Sequence, residues 1–273
     1  MLEFLYATLP GRILLRILIN PRISNLCGKF LDSSLSKVLI KPFVRKNGID
    51  LSYFYSSNFE CFNDCFSRKI KPGYRNFDRD PQALCSPCDG LLSAYEISEG
   101  LVVPVKGKDY DIARLLHSRK LAARYDGGLC LVFRLCVDHY HRYCYIDDGI
   151  KGENHFIAGK LHTVRPIALY NVPVFAENSR EYTVIKTKNF GKIVQMEVGA
   201  MLVGKINNYH GRYEFVRGVE KGCFLYGGST VILLLRKDKA VLDDKIFAAT
   251  RAGEETPVKM GEKIGMSTGR TRE

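Results

Sequence analysis

The chain has 273 residues, of which 46% are hydrophobic, and no low-complexity tract interrupts it. This length and composition exclude a disordered or fibrous protein and allow one large domain or two small ones around a sizeable core. A net charge of +12 predicts an anionic partner, either nucleic acid or a membrane surface that carries acidic lipids. No apolar run reaches the roughly 18–20 residues that a membrane-spanning helix needs.

Residues 2–43 predict two or three short amphipathic helices. Ile13 and Ile17 fall at helical spacing, with Arg12 and Arg16 beside them, and a second patch of the same kind follows. Helices with one apolar and one cationic face are suited to a membrane interface, and the same pattern also fits helices that pack on a core. The arginines within this segment argue against a membrane-spanning helix.

Further along, Phe59–Arg68 predicts a short helix and Asp109–Arg124 a longer one, and strand signals dominate the rest of the chain. The predicted strands are Leu101–Val105, Leu129–Leu135, Tyr182–Thr187, Lys192–Val198, Met201–Ile206, Tyr213–Val219 and Thr230–Leu235. Strands at such short, regular intervals favour an antiparallel sandwich or barrel. The predicted fold class is therefore α+β, with N-terminal amphipathic helices followed by a mostly antiparallel β-sandwich or barrel core.

The nine cysteines are odd in number and mostly isolated, and no signal peptide is visible. We therefore expect reduced thiols in a cytosolic setting. Cys85 and Cys88 form a CxxC pair, but no second pair lies at the spacing of a zinc ribbon. We expect no metal site here.

The stretch Gly227-Gly228-Ser229-Thr230 stands directly before an apolar, β-favouring run. A Gly-Gly pair lets the backbone adopt conformations closed to other residues, and the Ser229 hydroxyl can then reach the preceding carbonyl. That geometry suits an attack of the chain on itself. On these residues alone, a tight turn that leads into a buried strand is the simpler interpretation.

Three other positions carry groups that could move protons. Asp89 lies in a Pro-Cys-Asp-Gly turn before a strand, and residues 138–144 crowd two histidines, an arginine and a thiol together. Histidine is the side chain best suited to proton transfer near neutral pH, which draws attention to His141. His162 is a lone histidine in a loop or at the start of a strand, where a structural role is the simpler interpretation.

Five motifs together resemble one family, in the family's order and spacing. They are Pro87-Cys88-Asp89-Gly90, Tyr140-His141-Arg142, Asn178-Ser179-Arg180, Gly199-Ala200-Met201-Leu202-Val203-Gly204 and Gly227-Gly228-Ser229-Thr230. On these motifs the chain resembles phosphatidylserine decarboxylase over nearly its whole length. The individual motifs are weak signals, whereas the ordered set is highly specific.

The resemblance implies that the chain makes its own cofactor. The Ser229 hydroxyl would attack the Gly228 carbonyl, and elimination would split the chain into residues 1–228, the β chain, and residues 229–273, the α chain. The remnant of Ser229 would become a pyruvoyl group that forms a Schiff base with phosphatidylserine. Loss of carbon dioxide and hydrolysis would then release phosphatidylethanolamine, with no metal or added cofactor.

The resemblance also implies that an aspartate and a histidine activate the serine, because a hydroxyl is a poor nucleophile until it is deprotonated. Asp89 matches the aspartate. The family's usual pattern is Tyr-His-Arg-x-His, with the first histidine assigned to decarboxylation and the second to self-cleavage. This chain keeps the first as His141 and has Cys144 at the second position.

Three resolutions of this departure stay open. His141 serves both steps, or His162 folds back and supplies the missing imidazole, or Cys144 acts itself. A thiol with a reference pKa of about 8.5 fits poorly as a proton shuttle beside a carboxylate at neutral pH.

The resemblance further implies a helical membrane-associating region, residues 1–80, and a β-rich catalytic domain, residues 81–273. It implies peripheral attachment to an anionic surface at the cytoplasmic face of the cell membrane, through residues 1–43, with the cleaved chains associated in a homodimer. No RNA-binding or helix-turn-helix pattern supports a nucleic-acid partner. The alternatives are a pyruvoyl decarboxylase of a soluble amino acid and a non-cleaving protein that binds membrane surfaces.

Overall fold

The computed structural model describes residues 2–98, 100–105, 108–201, 205–225 and 229–269. The α-helices within these ranges are α1 Leu2–Ala7, α2 Leu9–Leu18, α3 Pro21–Leu31, α4 Ile40–Lys46, α5 Phe62–Phe66, α6 Ile112–Leu116, α7 Arg119–Ala122, α8 Pro166–Asn171, α9 Val174–Glu177 and α10 Asp244–Arg251. Short 3-10 helices occupy Ser34–Leu39, Leu51–Tyr53 and Ala123–Tyr125.

The β-strands alternate with these helices and dominate the chain from residue 83 onward. They are β1 Ala83–Cys85, β2 Gly90–Glu96, β3 Val102–Val105, β4 Lys108–Asp111, β5 Leu129–Leu135, β6 Arg142–Cys144, β7 Gly149–Ile157, β8 Arg180–Thr187, β9 Lys192–Val198, β10 Ile206–Asn208, β11 Tyr213–Phe215, β12 Glu220–Phe224, β13 Ser229–Leu235, β14 Ala240–Leu242, β15 Thr256–Val258 and β16 Lys263–Ser267.

The N-terminal helices begin where the sequence offers a cap. Thr8 separates α1 from α2, and its hydroxyl accepts a hydrogen bond from the Gly11 amide at 3.1 Å. The Asn20 side chain caps α3 in the same way through the Arg22 amide. Proline follows each cap within the first turn, where its missing N–H costs nothing.

An eight-stranded antiparallel sheet forms the centre of the protein, in the order β11-β7-β8-β9-β13-β5-β2-β15. Strand β13 lies in its interior, between β9 and β5, and all seven of its residues are buried. A strand buried on both faces is expected to read as a continuous apolar run, which is the pattern of Val231–Leu235. Smaller sheets, β1-β16-β14 and β10-β12-β6, pack against the large one.

The two faces of the large sheet carry separate cores. The first core contains Ile232 and Leu234 of β13 and packs the sheet against α1, α2, α6, α8 and α9. The second core contains Val231 and Leu233 and packs the sheet against the small sheets and α10. Because side chains alternate along a strand, each face of β13 belongs to one core.

The predicted fold class is confirmed: N-terminal helices precede large antiparallel sheets in a mixed α+β fold. The strands expected at Leu129–Leu135 and Lys192–Val198 have those bounds. The strand expected at Tyr213–Val219 is shorter and ends at Phe215. Half of the strand expected at Met201–Ile206, residues 202–204, lies outside the described residues.

The helix predicted for Asp109–Arg124 was wrong as a single element. Its first residues form the end of β4, which pairs with β3. Helix α6 ends at His117, whose backbone is left-handed with a φ of 49°. Ser118 then caps α7 through its side chain. A left-handed residue other than glycine leaves no signal in the helical periodicity, so the break escaped the sequence pattern.

Candidate active site

Five neighbouring strands of the large sheet begin or end at the same level, which forms one end of the sheet and is called its motif edge below. The sequence motifs lie at these strand ends. At that edge β2 begins at Gly90, β5 ends at Leu135, β13 begins at Ser229, β9 ends at Val198 and β8 begins at Arg180. The Tyr140-His141-Arg142 segment follows β5 by a short connection, and the amide of Phe224 donates to the His141 carbonyl at 2.9 Å. The fold thus gathers five motifs that are up to 140 residues apart along the chain (229 − 89).

Ser229 is the first residue of β13 and is 1% exposed. It pairs with Leu135 of β5, which belongs to the second core, so the Ser229 side chain lies on that face of the sheet. Its Oγ has no hydrogen-bond partner among the described residues. A buried hydroxyl normally has a partner, and an exception needs an explanation such as a catalytic role. Gly227 and Gly228, predicted to form a turn, lie outside the described residues.

His141 is completely buried, and its ring packs on Phe66 with centroids 4.1 Å apart. Its Nδ1 lies 3.0 Å from the carbonyl oxygen of His139. A carbonyl only accepts hydrogen bonds, so Nδ1 carries the proton and Nε2 presents a lone pair. Nε2 has no partner among the described residues, and burial lowers the pKa of the imidazole to about 3. His141 is therefore a neutral imidazole with one free acceptor nitrogen near pH 7.

This low pKa predicts a loss of stability in acid. In the unfolded chain His141 is protonated below about pH 6.5, so between that pH and about 3 the unfolded state binds the extra proton. The free energy of unfolding therefore falls as the pH drops through this window, by about 2–3 kcal/mol at pH 4.5 from this one residue. The measurement is urea unfolding at pH 7 and pH 4.5 in a Ser229→Ala background, which keeps the chain whole. Between these pH values the free energy of unfolding should fall by about 2–3 kcal/mol less in His141→Gln than in the background protein.

The exposed His155 provides the control for that measurement. His155→Gln controls for the loss of a histidine side chain, because it removes an exposed imidazole and leaves His141 in place, so it should keep the acid loss that His141 causes. Equal acid losses in the His141 and His155 variants would contradict the low pKa of His141.

Asp89 ends the turn before β2 and is almost fully buried. Its carboxylate forms a two-pronged ion pair with Arg75, whose Nε donates to Oδ1 at 2.7 Å. The amide of Met260 donates to the same oxygen at 2.9 Å. The described contacts thus engage Asp89 with an arginine and a backbone amide, and none of them joins Asp89 to a histidine.

Cys144 lies on β6, and its thiol lies 3.1 Å from the carbonyl oxygen of Pro87, to which it donates. Burial raises the pKa of this thiol well above its ordinary value. At neutral pH Cys144 is accordingly a protonated thiol, which is a poor proton acceptor. All nine cysteines of the chain are free thiols in the structure.

His162 lies on the other side of the large sheet from the Ser229 side chain. Its Nδ1 is 3.2 Å from the hydroxyl of Tyr6, a residue of the first core, and its Nε2 is 3.6 Å from the Glu177 carboxylate. Asn178 exchanges two hydrogen bonds with the His162 backbone, at 2.9 and 2.8 Å. A fold-back of this imidazole to Ser229 would break these contacts. That role stays a prediction, and His162→Ala tests it, since loss of chain splitting on a gel would support it.

The sequence did not reveal a buried ion pair beside Ser229. Nζ of Lys221, on β12, donates to Oε2 of Glu197, on β9, at 2.7 Å, and both side chains are fully buried. Asn208 accepts from the same ammonium group at 2.7 Å and donates to Glu197 at 3.2 Å. The available signal was the alternation of polar residues, Gln195 and Glu197, along a strand that is otherwise apolar.

Comparison with known proteins identifies the family to which the chain is related. A sequence profile described as phosphatidylserine decarboxylase matches residues 62–266. The chain is 45% identical over 265 residues to phosphatidylserine decarboxylase proenzyme 2 of Clostridium acetobutylicum, covering 97% of this chain and 91% of that protein.

The chain belongs to the phosphatidylserine decarboxylase family. It is 41% identical to the phosphatidylserine decarboxylase proenzyme of Ruminiclostridium cellulolyticum, over 97% of this chain and 90% of that one. It is 42% identical to the proenzyme of Clostridium perfringens, over 95% and 90% of the two chains. As a member of the phosphatidylserine decarboxylase family the chain is an enzyme of the carboxy-lyase class, and the family match spans all five motifs.

Proposed function

We propose that the chain is a proenzyme that splits itself between Gly228 and Ser229 and then converts phosphatidylserine to phosphatidylethanolamine and carbon dioxide. One observation carries this proposal. The Ser229 hydroxyl is buried without a partner among the described residues, at the start of a central strand and at the motif edge. The names of the relatives, which are decarboxylase proenzymes, support it.

The residues present fit a pyruvoyl group made from Ser229. The seven residues of β13 hold the new chain end in the sheet, because β13 pairs with β5 along its whole length and with β9 from Thr230 onward. The group supplies a ketone that condenses with the substrate amine and takes up the electron pair that remains on the substrate when carbon dioxide leaves.

We further propose that the fragments 1–228 and 229–273 stay associated after splitting. The smaller fragment contains β13, β14, β15 and β16, and three of these, β13, β15 and β16, pair with strands of the larger fragment. Separation would expose the apolar surface of both cores, which is strongly unfavourable. Assembly of the product as a homodimer is part of the same proposal and rests on the family resemblance alone.

His141 and Asp89 have distinct roles in this proposal. The imidazole of His141, whose Nε2 has no partner among the described residues, transfers protons during decarboxylation. Asp89 and its Arg75 partner fix the turn at the start of β2 and the charge balance of the site.

The N-terminal helices supply the membrane contact in this proposal. Their large apolar side chains that remain exposed are Phe4, Leu9, Ile13, Leu14, Ile17, Leu26, Phe30, Leu35, Val38 and Leu39. Arginines and lysines interleave with them, and each basic residue near an anionic surface contributes about 1 kcal/mol. Within the described parts of the chain no helix combines the length and hydropathy that crossing a membrane requires. The exposed apolar and basic side chains support peripheral attachment. Attachment at the cytoplasmic face is part of the same proposal.

Replacing two of these side chains should weaken attachment without unfolding the protein. Ile13 and Ile17 are 65% and 53% exposed, so Ile13→Ser with Ile17→Ser removes no core contact of comparable size. Each buried isoleucine is worth about 1.5–3 kcal/mol, so we expect more than a tenfold loss of affinity for vesicles that contain phosphatidylserine, measured by co-sedimentation.

Two exposed apolar residues outside the helices provide the matched control. Phe156→Ser with Val241→Ser removes comparable exposed area from β7 and β14 and should leave vesicle binding unchanged. Deletion of residues 1–43 is a poorer test, because Leu5 and Leu15 belong to the first core. Equal binding by both double variants would place the attachment site elsewhere.

The experiment that tests the function combines intact mass with substrate choice. The purified protein should give two masses, those of residues 1–228 and of a 45-residue fragment (273 − 228), and only the smaller should gain mass with a carbonyl reagent. Carbon dioxide release from phosphatidylserine and not from free serine would separate the proposal from a decarboxylase of a soluble amino acid. A single unmodified mass would overturn it in favour of a non-cleaving membrane-surface protein.

A further inference from the structure

The first step of self-cleavage requires a group that accepts the Ser229 proton. The second histidine of the family pattern is Cys144 here, and its thiol donates to Pro87 and has a pKa raised by burial. His162, which was the alternative source of an imidazole, contacts Tyr6 of the first core instead. His141 has a free Nε2, but burial lowers its pKa and makes it a weak base, and the Asp89 carboxylate is engaged by Arg75. A stronger base on the face of the sheet that carries Ser229 would therefore favour the first step.

Glu197 lies on that face. Thr230 pairs with Val198 and Val231 pairs with Glu197, so Glu197 is the diagonal neighbour of Ser229 on the adjacent strand. Diagonal neighbours in an antiparallel pair are about 7–8 Å apart, within reach of a long side chain. Ser229 and Glu197 share the second-core face, since each lies on the side of Val231.

The two oxygens of the Glu197 carboxylate are used differently. Oε2 accepts hydrogen bonds from Lys221 and Asn208, which fixes the side chain. Oε1 is buried and has no partner among the described residues, the same state as Oγ of Ser229. These two buried polar atoms lie on one face and on neighbouring strands, and they are not hydrogen-bonded to each other, so rotation of the Ser229 side chain must bring the donor to the acceptor for proton transfer.

A buried ion pair is weak evidence for stability, because apolar side chains of similar volume often stabilise a fold as well. The Lys221–Glu197 pair lies next to the strand ends where the motifs meet, since Glu197 is one residue before the end of β9. A role in proton transfer therefore explains this position better than stability does. Burial also raises the pKa of the Glu197 carboxyl, which the Lys221 ammonium opposes. A raised pKa makes Glu197 a stronger base than an ordinary carboxylate, which suits proton transfer from a hydroxyl.

We infer that Glu197, held by Lys221, is the proton acceptor for the self-cleavage of this chain. Oε1 takes the proton of the Ser229 hydroxyl as Oγ forms a bond to the carbonyl carbon of Gly228. The bond between that carbon and the Ser229 nitrogen then breaks, and Glu197 returns the proton to the nitrogen. The product is an ester with a free amine, with no change of oxidation state and no other reactant. This inference rests on the proposed function, because it assumes that the chain splits.

The test follows chain splitting in newly synthesised full-length protein by mass spectrometry and gels. Glu197→Gln keeps the shape and removes the proton acceptor, so splitting should slow at least 100-fold. Hydroxylamine, which cleaves esters, should not split this variant, because the ester is never formed. Glu181→Gln is the matched control, since Glu181 pairs with Glu197 across β8 and β9 and also binds Asn208, but lies one strand further from Ser229. It should split at the wild-type rate.

A second variant guards against simple misfolding, because Glu197→Gln leaves a buried ammonium group unpaired. Glu197→Gln with Lys221→Met removes the whole pair, and its fold is checked by circular dichroism. A folded double variant that stays whole supports the inference. Wild-type splitting of either variant, or release of the fragments from Glu197→Gln by hydroxylamine, would overturn it. A wild-type chain that never splits would instead overturn the proposed function.

Discussion

Ser229→Ala is expected to remain a single chain of 273 residues and to show no decarboxylase activity. The change removes the hydroxyl that attacks the Gly228 carbonyl in the proposed reaction, so neither splitting nor formation of the pyruvoyl group should follow. The loss should be complete within detection, because the variant lacks the nucleophile and the precursor of the cofactor together. Intact mass and carbon dioxide release measure the two effects separately.

The fold should survive this change. The Ser229 hydroxyl makes no hydrogen bond with the described residues, so its removal leaves no partner unsatisfied in them. Ser93→Ala supplies the control, because Ser93 is also a buried serine of the large sheet, on β2. It should split and decarboxylate as the wild type does. Splitting of Ser229→Ala would show that the scissile bond lies elsewhere.

The sequence predicted the elements whose signal is local. The apolar, β-favouring run of β13 identified this strand, because burial on both faces of a sheet imposes a continuous apolar pattern that is visible in the sequence. The candidate site residues Ser229, His141 and Asp89 came from ordered short motifs. The motif edge emerged only from the pairing of β2, β5, β13, β9 and β8.

The polar contacts of the site escaped prediction because they join distant parts of the chain. Lys221 reaches Glu197 only because one small sheet packs on the face of the large one. Arg75 lies in the loop between α5 and β1 and drew no attention in the sequence, yet it engages Asp89. Such pairs have no spacing rule, since they depend on which strands become neighbours. The position of His162 in the first core, away from Ser229, is a result of the same kind.

His141→Gln is expected to split normally and to lose at least 100-fold in the decarboxylation of phosphatidylserine. Proton transfer by a positioned side chain is typically worth about 10²–10⁴ in rate, and glutamine keeps a polar group of similar size without a basic nitrogen. If Glu197 accepts the Ser229 proton, His141 is not needed for the first chemical step, and the variant should yield both fragments with the carbonyl in place. Intact mass after treatment with a carbonyl reagent measures splitting and formation of the carbonyl group, and carbon dioxide release measures decarboxylation.

His139→Gln controls for the removal of a nearby imidazole. His139 accepts a hydrogen bond from the Cys136 amide at 3.1 Å through Nδ1, a contact that the glutamine oxygen can replace, so this variant should keep both splitting and activity. A His141→Gln chain that folds but stays whole would show that one imidazole serves both steps. A variant that splits and retains full activity would remove His141 from the reaction. Because Nε2 of His141 is a buried acceptor without a partner in the described residues, the expected outcome is a processed but inactive enzyme.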